Sequence, residues 1–448
     1  MKQWQMEFGK VFGIYYLREP VLVVSDIDLI KQIFVKDFNL FTDRWFVGGT
    51  AGFQPSIQRA LFFETGLNWH RERKIMSPIF TSGKLKRVTY HINQTARDMA
   101  DILAEHARKD QYFSAKDVFG AFAADVIFRS AFGLNINSQL DLEGEWFQHV
   151  KSLITINTTV KFYFFSMGLF PVLVHLYSWL DLTFFKHCDV KFFTDNFSTL
   201  IMNRKQKPDV DHTNFIQLLL NSESDNSETE LGGSKKLTTD EIISQCLIFI
   251  IAGYETTSTT MQFLGYELAR RPTIQAKVIE EIESVLSPDE EPSYAHCQSL
   301  KYMEAVIYEV LRYYPPLQMT TRQSSQQVTL GSYVIPAGQS IFIPLHVVMR
   351  DPEYFPNPDI FDPTRFLDSD TKAKNLSMFL SFGIGQRQCI GMRLAMLEIK
   401  LALVHTLRRV KFVSAKPEEL VIEDYSSLPV PTEKIELMVE ERALGESA

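Results

Sequence analysis

The segment Phe382-Gly-Ile-Gly-Gln-Arg-Gln-Cys-Ile-Gly391 sets one cysteine in the pattern F-x-x-G-x-x-x-C-x-G, ahead of an apolar helical stretch. A thiolate at Cys389 would be a strong electron donor to a haem iron and would favour cleavage of an O–O bond. Such a thiolate needs shielding and a lowered pKa, which backbone N–H groups in a Gly-rich turn at a helix start can supply. Phe382 can pack beside the sulfur and exclude water. Gly385 and Gly391 are expected to let backbone pass close to a flat ring. Gly383-Ile-Gly385 is not a dinucleotide loop, because position 388 is Gln where G-x-G-x-x-G needs its third glycine.

The other cysteines, Cys188, Cys246 and Cys297, read as inert thiols; no C-x-x-C pair, C-x-x-C-H or zinc-like cluster is present. So few cysteines in 448 residues fit a reducing environment. Hydrophobic residues at 45% and charged residues at 22% describe a globular enzyme, and 35 Phe can line a large apolar cavity or fill a core. The net charge of −8 argues against nucleic acid as a partner, since phosphate binding needs a basic face. The first residues, MKQWQMEFGKVFG, carry no signal peptide. Phe162 to Leu180 is long enough to span a bilayer, but Pro171 and His175 interrupt it. Buried core, or a segment dipping into a membrane surface, is the better reading.

These residues need elements to position them. Val11 to Asp26 alternates around a turn and predicts a hairpin, followed by mostly helical periodicity to about Arg204. Asn221 to Lys236 is polar and Gly-containing, a flexible loop. The spacing Thr238-Thr-Asp-Glu241 predicts a capping box, and Pro272 a stop, for a long helix through the middle of the fold. A second helix ends at Leu311-Arg312. Val328 to His346 reads as short strands, and the Pro-rich stretch Asp351 to Phe366 leads to the cysteine segment.

Three further motifs stand in order before or around it: Ala252-Gly-Tyr-Glu-Thr-Thr257 in the long helix, Glu309-x-x-Arg312, and Pro363-Thr-Arg365-Phe366. With the cysteine segment they resemble the cytochrome P450 family over nearly the whole chain. FTSGKLK from Phe80 and AGYETTS from Ala252 are most similar to the microsomal 3A-type drug- and steroid-oxidising enzymes. Length alone suggests roughly three domains. The resemblance implies instead a single catalytic domain over 1–448, mainly α with a smaller β region at about 11–26 and 318–346. A long central helix would lie over haem b, with the Cys389 loop on the opposite side.

The resemblance further implies roles. Thr256 would hydrogen-bond dioxygen with Glu255 as acid relay, although a helical Thr often bonds its own i−4 carbonyl. Trp69 and Arg73 of WHRER, then Arg387, and Arg44 and Arg322 at matching basic positions, would meet the haem propionates. Glu309, Arg312 and Arg365 would form a buried network. Phe53, Ile57, Phe249, Ala252, Leu317 and Met319 would line the pocket. Gln386 stands where many relatives have Pro.

The expected reaction inserts one oxygen atom from O2 into a lipophilic steroid, fatty acid or xenobiotic. Electrons would come from NADPH through a separate flavoprotein reductase, with cytochrome b5 as a further partner. Arg71, Lys74, Lys84, Lys86, Arg87 and Arg393 would offer the docking face. The rival readings are a haem-thiolate isomerase acting on peroxides without a reductase, and a non-catalytic haem or sterol binder. The implied location is the cytosolic face of the endoplasmic reticulum membrane, although the family's N-terminal anchor is absent from this chain.

Overall fold

The computed structural model describes residues 1–46, 52–155, 158–170, 172–173, 176–177, 183–206, 214–221, 236–423 and 428–442. The flexible loop expected over Asn221 to Lys236 lies almost wholly outside these residues, as do Pro171, His175 and Leu180 of the long apolar run.

The expected hairpin forms: β1 (Val11–Tyr16) pairs antiparallel with β2 (Glu19–Val24), Val11 opposite Val24. β3 is the short strand Phe113–Ser114. β4 (Thr320–Gln323), β5 (Val328–Leu330), β6 (Tyr333–Ile335) and β7 (Ser340–Ile343) follow the second long helical region. β8 (Val410–Lys416) and β9 (Glu436–Glu441) close the chain. The main sheet runs β1-β2-β7-β4, a second runs β3-β9-β8, and β5-β6 is a separate hairpin. The parallel β2–β7 pair places Val23 beside Phe342 across more than three hundred residues of helical chain. The β region is therefore larger than 11–26 and 318–346, because β8 and β9 add a C-terminal pair to β3.

The central helix spans Thr239–Arg270, 32 residues. Its predicted capping box is present: Glu241 N–H donates to Thr238 Oγ1 at 3.2 Å, and Thr238 N–H to Glu241 Oε2 at 2.8 Å. Pro272 opens the next helix. Nearly every residue from Thr257 to Ala269 is buried, because this half runs between Ala115–Ile127, Lys301–Tyr313 and the β8–β9 sheet.

The Glu309–Arg312 pair is buried rather than solvated. Arg312 donates from Nε and Nη2 to the two Glu309 oxygens at 2.8 Å each, and from Nη1 to the Met349 carbonyl at 2.9 Å. Arg365 Nε stands 3.6 Å from Glu309 Oε1 while its Nη atoms hold the Pro356 and Asn357 carbonyls. This pins the irregular stretch 351–366 onto the Lys301–Tyr313 helix and sets the approach of the cysteine segment.

Candidate functional site

On one face of the central helix Phe249, Gly253 and Thr256 are half-buried and Ala252 is exposed, with Ile251 and Glu255 half-buried beside them. The spacing of Phe249, Ala252, Gly253 and Thr256, i, i+3, i+4 and i+7, is that of one helical face. An element through the middle of the protein thus keeps one open side at the motif Ala252–Thr257. The Thr256 hydroxyl donates to the Ala252 carbonyl at 2.7 Å, the ordinary i−4 bond. Glu255 is drawn the other way. Its Oε1 lies 2.9 Å from Lys116 Nζ and accepts from Thr259 Oγ1 at 3.2 Å; Lys116 also donates to Ser258 Oγ at 2.9 Å.

The cysteine loop is closed by Cys389 N–H donating to the Phe382 carbonyl at 2.8 Å, and the helix Met392–Arg409 begins just beyond. Gly385 has φ +75°, and a Cβ there would collide with the carbonyl oxygen of Phe34. The glycine is needed for this close approach to the π-helical turn Gln32–Lys36. Beyond its chain neighbours, no described protein atom lies within 4 Å of the Gly391 Cβ position. Phe382 packs at the edge of the main core, 6.3 Å from Phe379 between ring centroids.

Cys389 is crowded by protein on most sides yet accessible on one. Burial pushes its thiol pKa up; the Gly391 N–H, Arg73, the Met392 N–H and Arg44 oppose that shift.

The four arginines expected to meet the haem propionates, Arg44, Arg73, Arg322 and Arg387, converge here. Arg73, on the helix Gly66–Met76, donates to the Gln388 carbonyl at 2.8 Å. Arg387 stacks over the Trp69 ring at 4.3 Å and donates to the Glu64 carbonyl at 2.7 Å. Arg44 donates to the Phe62 carbonyl at 2.9 Å, and Arg322, on β4, to its neighbour Thr321. Arg44 Nε, Arg322 Nε, and Arg387 Nε and Nη1 are buried with no hydrogen-bond partner among the described residues. Burial, then a neighbouring guanidinium charge (Arg73 for Arg44, Arg44 for both Arg387 and Arg322), pushes Arg44 down to about 10, Arg387 down to about 8 and Arg322 well below the usual range.

Unpaired buried guanidinium donors are costly. Grouped beside an accessible thiol, they suit a flat ligand carrying two carboxylates on one edge and a thiolate-binding metal at its centre. A haem fits this donor set.

Of the expected pocket residues, Phe53, Ile57 and Phe249 share one apolar cluster, whereas Leu317 packs on the main core and Met319 on a third cluster behind β1–β2. Sequence reasoning missed the aromatic wall around Phe53, whose ring lies 4.6 Å from Phe63, 5.4 Å from Phe184 and 6.0 Å from Phe46 and Phe185. The Phe-rich composition was its only signal. It also missed Lys116, which no motif marks.

A mainly helical fold with an open-faced central helix, an accessible thiol and a guanidinium cradle defines the haem-thiolate class of proteins. The Cytochrome P450 family model matches residues 1–439. Among similar proteins, cytochrome P450 3A28 of Bos taurus is 34% identical over 441 residues, 98% of this chain and 85% of that protein. Cytochrome P450 3A29 of Sus scrofa is 34% identical over 425 residues, 94% and 82% of the two chains. Cytochrome P450 3A9 of Rattus norvegicus is 33% identical over 420 residues, again 94% and 82%. The chain belongs to the cytochrome P450 family, whose members are monooxygenases carrying haem on a cysteine thiolate.

Proposed function

We propose that this chain inserts one oxygen atom from O2 into a lipophilic small molecule, using electrons that a separate NADPH-dependent flavoprotein reductase delivers. The carrying observation is the set of orphaned guanidinium donors of Arg44, Arg322 and Arg387 beside the accessible Cys389.

In this reading Cys389 ligates the iron, and Arg44, Trp69, Arg73, Arg322 and Arg387 hold the propionates. Phe382 shields the sulfur. When bound, the haem supplies the redox chemistry of oxygen activation. The protein's part is to bind, orient and move protons. Thr256 offers a hydroxyl on the open helix face. Glu255 carries the proton, and to reach Thr256 its carboxylate must leave Lys116. The aromatic wall around Phe53 excludes water and favours an apolar substrate such as a steroid or xenobiotic.

Lys74, Lys86, Arg87 and Arg393 are exposed and suit an acidic electron donor, the reductase or cytochrome b5. Arg71 is already committed to Glu241 and the Lys236 carbonyl. Among the described residues no helix is long and apolar enough to cross a membrane. Phe162, Phe165, Phe170, Val172 and Leu176 are all exposed, and Arg18 ties the β1–β2 turn to Leu169 beside them. This apolar surface supports contact with a membrane surface, and the similarity to 3A enzymes supports the cytosolic face of the endoplasmic reticulum as that membrane.

The test is turnover of lipophilic candidates with NADPH, reductase and O2. A hydroxylated product that requires all three supports the proposal. Turnover of a peroxide without electrons would assign the isomerase reading instead, and ligand binding with no product the binder reading.

A further inference from the structure

Gln245 lies on the buried first half of the central helix and is fully buried. Its side chain makes three hydrogen bonds. Nε2 donates to the Arg59 carbonyl at 3.0 Å and to Glu72 Oε2 at 3.1 Å, and Oε1 accepts from the Leu61 N–H at 3.0 Å. An amide spending both protons and its oxygen on three groups fixes its partners in place.

The segment it grips matters at both ends. Upstream lie Phe53 and Ile57, the apolar pocket wall. Downstream, the Phe62 carbonyl holds Arg44 and the Glu64 carbonyl holds Arg387. Glu72, the third partner, shares its helix with Trp69 and Arg73. Two sides of the candidate site therefore hang from one side chain that touches neither.

We infer that Gln245 is a positioning residue that couples the substrate wall to the arginine cradle through the turn Arg59–Glu64. The inference rests on the haem-thiolate reading for the identity of the cradle's ligand. Removing the amide leaves the Leu61 N–H, the Arg59 carbonyl and Glu72 without their partner, and the turn loosens. Phe53 and Ile57 then move with Arg44 and Arg387 as one unit.

Glu72 is a passive member. Burial and the charges of Glu64 and Glu241 push its carboxyl up to about 9, so it is a neutral acid at pH 7. A neutral amide in its place can still accept from Gln245.

The test compares Gln245→Leu and Glu72→Gln with the parent holoprotein. Hydrogen exchange of the peptide covering residues 59–64 is measured, together with the spectral affinities of imidazole and of 4-phenylimidazole, which also fills the pocket. Gln245→Leu is expected to speed exchange in 59–64 by about tenfold and to weaken 4-phenylimidazole by about tenfold, with imidazole changed far less. Glu72→Gln is expected to match the parent in both. Parent-like exchange and parent-like 4-phenylimidazole affinity in Gln245→Leu would overturn the inference, as would equal weakening of both azoles.

If Gln245→Leu does not accumulate, Gln245→Glu is read in the same way. It keeps the acceptor for Leu61 but loses the donor to Arg59, so faster exchange supports the coupling and parent-like exchange overturns it. A parent protein whose reduced carbon monoxide complex lacks the thiolate signature would refute the haem-thiolate reading while leaving the exchange measurement fully interpretable.

Discussion

Thr257 Oγ1 donates a 2.5 Å hydrogen bond to Glu398 Oε1, joining the central helix to the helix that follows the cysteine loop, and both residues are buried. Burial raises the Glu398 carboxyl from 4.5 to about 8, offset only in part by Thr257. The folded chain therefore holds a proton that the unfolded chain releases near its ordinary pKa. Stability from this group falls as pH rises from about 4.5 to about 8, and is flat beyond. Glu398→Gln should flatten part of that slope, leaving the contribution of Glu72, which has the same sign. Melting temperatures of both proteins across pH 5–8 check this.

Arg312 and Glu309 are an ion pair sealed from water, with Arg312 also holding the Met349 and Pro358 carbonyls. Arg312→Leu strands a buried carboxylate and two carbonyls, at a cost of about 3–5 kcal/mol. Denaturant unfolding should show this loss, and the variant should retain haem poorly because the stretch 351–366 leading to Cys389 is released.

Lys116 pairs with Glu255 and is itself partly exposed, so it connects the Glu255 carboxylate to solvent for reprotonation between turnovers. Lys116→Met should leave substrate affinity near the parent value but slow turnover by about tenfold, with more reduced oxygen released as peroxide. Lys116→Arg should recover most of the rate. The ratio of product to NADPH consumed is the measurement.

The orphaned donors of Arg387 and Arg322 predict that each contributes to cofactor retention. Arg387→Leu should speed transfer of haem to apomyoglobin by about tenfold, as expected for loss of a charge-assisted hydrogen bond. Arg322→Leu should act in the same direction. Their double variant should fall short of additivity, because removing one guanidinium relieves repulsion on the other.

Much of this site was legible because its signals are local. The Cys389 segment, the Ala252–Thr257 motif and the capping box at Thr238 each sit within ten residues, and each lands where its spacing implied. Arg44 and Arg322 needed the family resemblance, since nothing near either one distinguishes it from a surface charge. The rest is long-range. Gln245 reaches Arg59 and Leu61 across more than 180 positions, and Lys116 reaches Glu255 across 139. The β3–β9 pair escaped notice because a two-residue strand has no periodicity to read. Phe34 beside Gly385 escaped notice for a related reason: the glycine pattern shows that something comes close, but not that Phe34 does.

The account rests on sulfur at position 389 binding iron. The direct measurement is the absorption spectrum of the purified, haem-loaded protein after reduction and exposure to carbon monoxide. The parent should show the strongly red-shifted band of a thiolate complex, and Cys389→Ser should lose it. A parent without that band, or a Cys389→Ser variant that keeps it, would contradict the account.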